Sequence, residues 1–299
     1  MTMPVKSVQC TEINFDRLDT LIKLAYEEDL ENAGDTTTLA VIPAETQAKA
    51  ILLCKENNMV LAGIAVAERV FRYLDADLKF TALKQDGDLC QKGDKLAVIS
   101  GKAQSILTAE RTALNFLQRL CGVASTSRKY AEALKGTACV ALDTRKTTPG
   151  WRNLEKYAVQ CGGSTNHRIG LFDRVMIKDN HRELAKLESE NSIERSVERC
   201  RKMFPDLEVE VEADSLEEVK HAINSGAEYI LLDNMTNEEM AEAVKLANGK
   251  SLLEASGGIT IERLPSIGQI GVDFVSAGAL THSVKSSDIS LDIQLEGDN

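Results

Sequence analysis

Residues 229–258 read YILLDNMTNEEMAEAVKLANGKSLLEASGG. YILL (229–232) is a short, wholly apolar run with Asp233 at its exit. From Glu238 to Ala247 the apolar residues fall at helical spacing. SLLEA (251–255) is a second short run, and it leads into Ser256-Gly257-Gly258. Strand, helix, strand in this rhythm predicts a parallel βαβ unit.

The same rhythm extends in both directions. Upstream lie CVAL (139–142), VMI (175–177) and EVEVE (208–212), separated by helical stretches such as Ser192–Met203 and Leu216–Ser225. Downstream, Thr260–Ile267 leads into DFVSA (273–277). Six such runs favour a closed or nearly closed barrel over an open doubly wound sheet. No glycine-rich dinucleotide fingerprint follows the first run, which points the same way.

Before Ala138 the pattern differs. Phe15–Gly34 has helical spacing, and Ala48–Cys54 and Met59–Ala67 read as short strands or strand–helix joints. Asp86-Gly87 and Lys92-Gly93 mark turns between short apolar stretches. A long amphipathic segment, Ser105–Leu134, then leads to the barrel. The expected architecture is α/β: an N-terminal α+β sandwich domain over 1–110, followed by an open parallel α/β barrel over 111–299. Roughly the last 15 residues are expected to pack back on the first domain.

Composition narrows the function. The chain has 299 residues, 43% of them apolar, 4% aromatic, with net charge −11. Acidity and scarce aromatics argue against a nucleic-acid or anionic-membrane surface. The seven cysteines are scattered, without zinc or redox spacing. MTMPVKSVQC lacks the apolar core of a signal peptide, and no long apolar span occurs elsewhere, so a cytoplasmic protein is expected.

In parallel barrels the carboxyl ends of the strands share one face, where active sites are built. Here Arg145 and Lys146 of DTRKTTPG (143–150) follow the first run and Lys178 follows VMI. Glu212 ends EVEVE, Asp233 follows YILL, and Ser256-Gly257-Gly258 and Ser276 to Gly278 follow the last two runs. The two glycine-rich exits suit a phosphate, or simply permit tight turns. Glu212 and Asp233 suit sugar hydroxyls or Mg²⁺. Glu208 and Glu210 read as exposed members of an alternating strand.

Eight cations and four acids lie between 143 and 182, leaving four excess positive charges in an acidic chain. Arg152, Lys156, Arg174 and Arg182 read as ordinary solvated residues. His167-Arg168, after a glycine-rich turn, reads as anion recognition. Lys178 on a barrel strand also fits a Schiff-base aldolase.

EDLENAGDTTT (28–38), AERTALNFLQRLCGVAS (109–125), DTRKTTPGWRNLEKYAVQCGG (143–163), NHRIGLFDRVMIKDNH (166–181), LLDNM (231–235), EASGGI (254–259) and GVDFVSAGALTHS (271–283) together resemble the quinolinate phosphoribosyltransferase family. The resemblance spans nearly the whole chain. It implies decarboxylating transfer from 5-phosphoribosyl 1-pyrophosphate (PRPP) to quinolinate, with Mg²⁺, in NAD biosynthesis. It implies a homodimer in which Arg111 reaches into the neighbouring site. Arg145, His167, Arg168 and Lys178 match groups that grip the two carboxylates of quinolinate, and Lys146 lies on the phosphate side. Glu212 and Asp233 match acids near the ribose hydroxyls and Mg²⁺, and Ser256, Gly257, Gly258, Ser276 and Gly278 fall in phosphate loops. Ser164 and Ser286-Ser287 depart from the family's commoner residues, which touches loop detail only. A molybdenum-associated relative of the family is an alternative, but it usually lacks the IKDNH segment seen here at 177–181.

Overall fold

The computed structural model describes residues 9–185 and 192–295. Most of the N-terminal decapeptide considered above lies outside the described residues. The chain forms two compact units. Of the described residues, one gathers 10–128, 148–163 and 283–295; the other gathers 9, 129–147, 164–185 and 192–282.

The first unit is built on an antiparallel sheet. Gln47–Cys54 is central, with Lys95–Lys102 on one side and Ile289–Leu295 on the other, and Lys79–Ala82 lies beyond Lys95–Lys102. Ala48, Ala50, Leu52 and Cys54 alternate inward along the central strand, the period expected when one face meets a core. Helices Phe15–Leu30 and Ile64–Leu74 belong to this unit, as does most of the 31-residue helix Ala103–Ala133, which runs through residue 110. Gly87 and Gly93 have φ near +93° and +94°, conformations that a side chain resists, and so make the turns their sequence announced.

The second unit is a six-stranded sheet in the order Val140–Leu142, Phe274–Ser276, Leu252–Ser256, Tyr229–Asp233, Val209–Ala213, Val175–Ile177. Every neighbouring pair is parallel. The two end strands are not paired with each other among the described residues, so the barrel is open. Tyr229, Ile230, Leu231 and Leu232 are all buried, as parallel strands covered on both faces require. Leu142, Tyr229 and Phe274 form a core cluster between strands. Helices return the chain between strands, and their starts are written in the sequence. The Ser215 side chain accepts from the Glu218 N–H, and Thr236 and Glu239 form a reciprocal capping box.

Parallel burial overturns one expectation. Glu210 is not an exposed member of an alternating strand; it is fully buried. Alternation predicts exposure only when one face of a sheet meets water, and here neither does. Three of the four cations read as solvated are also buried: Lys156, Arg174 and Arg182. Arg174 lies over the Tyr229 ring at 3.9 Å, and Arg182 pairs with Glu218. Among the described residues no helix is long and apolar enough to cross a membrane.

Candidate active site

Register places the strand exits side by side. Asp233 pairs with Ser256, Ser276 with Leu142, and Glu212 with Leu231. A pocket of about 460 Å³ opens there, lined by Arg145, Lys146, His167, Arg168, Lys178, Glu212, Asp233, Ser256 and Ser276 together with Thr144, Met176, Leu231 and Glu254. Residues separated by up to 132 positions thus meet in one concavity, and nine of the thirteen expected from sequence line it.

The glycines stand just behind. Gly257 (φ +81°) and Gly258 (φ +58°) make a turn that side chains disfavour, and a Cβ on Gly257 would overlap the Asn234 side chain. A Cβ on Gly278 would come within 2.8 Å of the Lys146 side chain, so this glycine leaves room for the lysine to pass. The Thr281 hydroxyl donates to the Lys146 carbonyl at 2.7 Å and fixes that segment from the neighbouring strand exit.

The cations differ in how they are held. Lys178 Nζ donates to Glu212 Oε2 at 2.7 Å and remains partly exposed. Arg145 Nε is buried without a hydrogen-bond partner. Arg168 is buried, and burial first, then the neighbouring Arg145, lowers its pKa. Two guanidinium groups pressed together in this way form a site that an anion would stabilise. Across the pocket, Asp233 has its pKa raised, by burial first and then by Glu212, so the two acids share one region.

Beneath the pocket lies a network that sequence reasoning did not find. Asp143, fully buried, accepts from Asn166 Nδ2 at 2.7 Å and from the His167 N–H at 2.9 Å. This ties the glycine-rich turn to the first strand exit. His167 Nε2 faces Glu210 at 3.2 Å and Glu254 at 3.4 Å, both fully buried. Burial lowers the His167 pKa, but Glu254 and Glu210 outweigh it and push it up to about 10. The Arg168 N–H is directed at Nδ1 at 2.6 Å, so Nε2 is the nitrogen that presents its N–H to the two acids. Both ring nitrogens therefore face protein groups. His167, Glu210 and Glu254 offer three ligand-type atoms within 4.8 Å of one another. Arg174 Nη1 already lies 3.4 Å from the same Glu210 oxygen, so the cluster is an ion-pair network rather than a metal centre.

Arg111 is not among the pocket residues. It lines a separate cavity of about 330 Å³ in the other unit, with Asp29, Phe116 and Trp151 among its neighbours. The Phe116 and Trp151 rings stack 4.5 Å apart.

Fold and pocket together define an α/β-barrel protein whose strand-end site is built for anions. Comparison narrows the class. Residues 123–292 match the family model of the quinolinate phosphoribosyl transferase C-terminal domain, and residues 35–121 match that of its N-terminal domain. The chloroplastic nicotinate-nucleotide pyrophosphorylase [carboxylating] of Arabidopsis thaliana is 44% identical over 294 residues, covering 93% of this chain and 83% of that one. A probable nicotinate-nucleotide pyrophosphorylase [carboxylating] of Bacillus subtilis is 38% identical over 288 residues, covering 96% and 97%. The solved nicotinate-nucleotide pyrophosphorylase from Francisella tularensis aligns with a TM-score of 0.90 at 36% identity, over 97% of this chain and all of that one. The chain belongs to the quinolinate phosphoribosyltransferase family.

Proposed function

We propose that this chain is a pentosyltransferase that moves the phosphoribosyl group of PRPP to quinolinate with loss of CO₂. The products are nicotinate mononucleotide, pyrophosphate and CO₂, the first serving NAD synthesis. One observation carries the reading: Arg145, Lys146, Arg168 and Lys178 meet Glu212 and Asp233 in a single pocket of a chain with net charge −11.

Both reactants are polyanions, and the protein must hold them together against their repulsion. Arg145, Arg168 and Lys178 take the two carboxylates of quinolinate, using planar forks and a point charge. His167 also lines the pocket, with its ring nitrogens against the Arg168 N–H and Glu210. Lys146 and the turns at Ser256, Gly257, Gly258, Ser276 and Gly278 take phosphate. The pyridine nitrogen is itself the nucleophile, so no activated side chain is needed. Glu212 and Asp233 stabilise the positive charge that develops on the ribose. Alkylation of the nitrogen then makes the ring an electron sink for the departing carboxylate. Alignment of two bound reactants can remove roughly 7–11 kcal/mol of barrier.

Glu212 and Asp233 also fit a magnesium ion. They are hard oxygen donors, and a cation would offset the burial and the Glu212 repulsion that together raise the Asp233 pKa. Bound there, Mg²⁺ would supply charge neutralisation for the pyrophosphate leaving group.

A Schiff-base aldolase would need Lys178 unpaired and desolvated, and it is neither. The proposed assembly is a homodimer in which Arg111 serves the neighbouring pocket, and the proposed compartment is the cytoplasm, which suits seven cysteines that form no disulfide among the described residues. Mixing Arg111→Ala and Arg168→Ala proteins should restore activity through hybrid dimers with one intact site. No recovery after proven subunit exchange would remove the borrowed arginine. The function itself is tested by incubating the protein with quinolinate, PRPP and Mg²⁺ and measuring nicotinate mononucleotide and CO₂. Nicotinate serves as the control acceptor, and absence of product with quinolinate would end the reading.

A further inference from the structure

Arg168 is gripped at two points by groups that share one partner. Its backbone N–H donates to His167 Nδ1 at 2.6 Å, and its Nη1 donates to the Arg174 carbonyl at 3.1 Å. His167 Nε2 and Arg174 Nη1 both lie against Glu210 Oε2, at 3.2 and 3.4 Å. All four side chains are 6% exposed or less.

We propose that Glu210 is a positioning residue: a buried anion that, through His167 and Arg174, fixes Arg168 in the orientation that receives a substrate carboxylate. The inference rests on the assignment of Arg168 to quinolinate given above. Its physical basis is that burial, and then the neighbouring Arg145, disfavour the charge on Arg168. A flexible arginine would swing toward water. Here its backbone and its guanidinium are both tied to a lattice whose central charge lies 42 residues further along the chain. The anion then meets a fork already in place, and little side-chain freedom is lost on binding.

Glu254 makes an internal control. It is equally buried and lies 3.4 Å from His167, but neither of its oxygens has a hydrogen-bond partner, Arg174 included. It touches one arm of the grip, whereas Glu210 joins both.

The test is steady-state kinetics on Glu210→Gln, Glu254→Gln, Arg168→Ala and the Glu210→Gln/Arg168→Ala double variant. Glu210→Gln should raise KM for quinolinate about 30-fold, the scale of a lost charged hydrogen bond, with KM for PRPP within about twofold. Glu254→Gln should raise KM for quinolinate by less than about fivefold. The double variant should be no worse than Arg168→Ala alone to within about threefold, because Glu210 would act only through Arg168. A general structural defect would instead multiply the two losses and move both KM values. If Glu210→Gln does not fold, His167→Gln against His167→Leu decides. Gln can present an amide N–H to Glu210 where the imidazole Nε2 does and should keep KM for quinolinate within about fivefold, while Leu, which loses the link to Glu210, should approach Arg168→Ala. Unchanged KM for quinolinate in Glu210→Gln, multiplicative losses, or equal behaviour of Gln and Leu would overturn the inference. Unchanged KM for quinolinate in Arg168→Ala would instead strike the site assignment itself, and this inference with it.

Discussion

The rim of the pocket and the floor beneath it use the same residue types to different ends. On the rim, Lys178 and Glu212 form a 2.7 Å pair that is partly open to solvent. On the floor, Arg174, Glu210, His167 and Glu254 are enclosed. A rim pair contributes little to stability and can exchange partners for a ligand. A floor pair has been stripped of water, so losing one member leaves a charge with nothing to balance it. Chemistry therefore belongs to the rim and rigidity to the floor.

The sharpest way to break this contrast is Arg174→Met, which keeps bulk over Tyr229 but strands Glu210. It should lower unfolding free energy by about 3–5 kcal/mol in urea titration. A loss below about 1 kcal/mol would mean that the floor is not an energetic unit. Arg145→Ala should do the reverse. It should reduce kcat/KM for quinolinate by about 10²–10³-fold, since an oriented cation is lost at the site of charge, while stability falls by under about 1 kcal/mol. A nearly normal rate would remove Arg145 from the site.

Most of the rim was legible in the sequence and most of the floor was not, for a common reason. Arg145, Lys178, Asp233 and Ser256 each follow a short apolar run, and parallel topology alone brings such exits together. Glu210 depends on Arg174, 36 residues away, and on His167, 43 residues away, and no local pattern records those pairings. A signal was nonetheless present. The strand–helix alternation already implied a sheet covered on both faces, so a glutamate inside EVEVE, like Glu254 inside LLEA, had to be buried and partnered. The alternation rule belongs to one-sided sheets, and this sheet is covered on both faces. Arg182 and Lys156 run against the default that long charged side chains on helices are solvated, and their burial follows from packing that the sequence pattern does not encode.

Gly257→Ala probes the turn between the rim and its phosphate side. The residue sits at φ +81° with the Asn234 side chain against the position a Cβ would take. Strain of about 1–3 kcal/mol is expected there. It should appear as a rise of about tenfold in KM for PRPP, with KM for quinolinate little changed. Equal effects on both substrates would show that this turn supports the whole pocket rather than its phosphate half.

The smallest expected effect tests the comparison from the other side. Lys178→Met removes one partner of the shortest ion pair lining the pocket, and distance alone would make it look structural. Its side chain, however, is 43% exposed, so water can take the lysine's place against Glu212. The unfolding free energy should change by less than about 1 kcal/mol. Turnover with quinolinate should nevertheless fall steeply, because the cation is needed only when a substrate carboxylate arrives. A stability loss as large as that of Arg174→Met would place Lys178 with the floor. The division would then follow pair geometry rather than access to water.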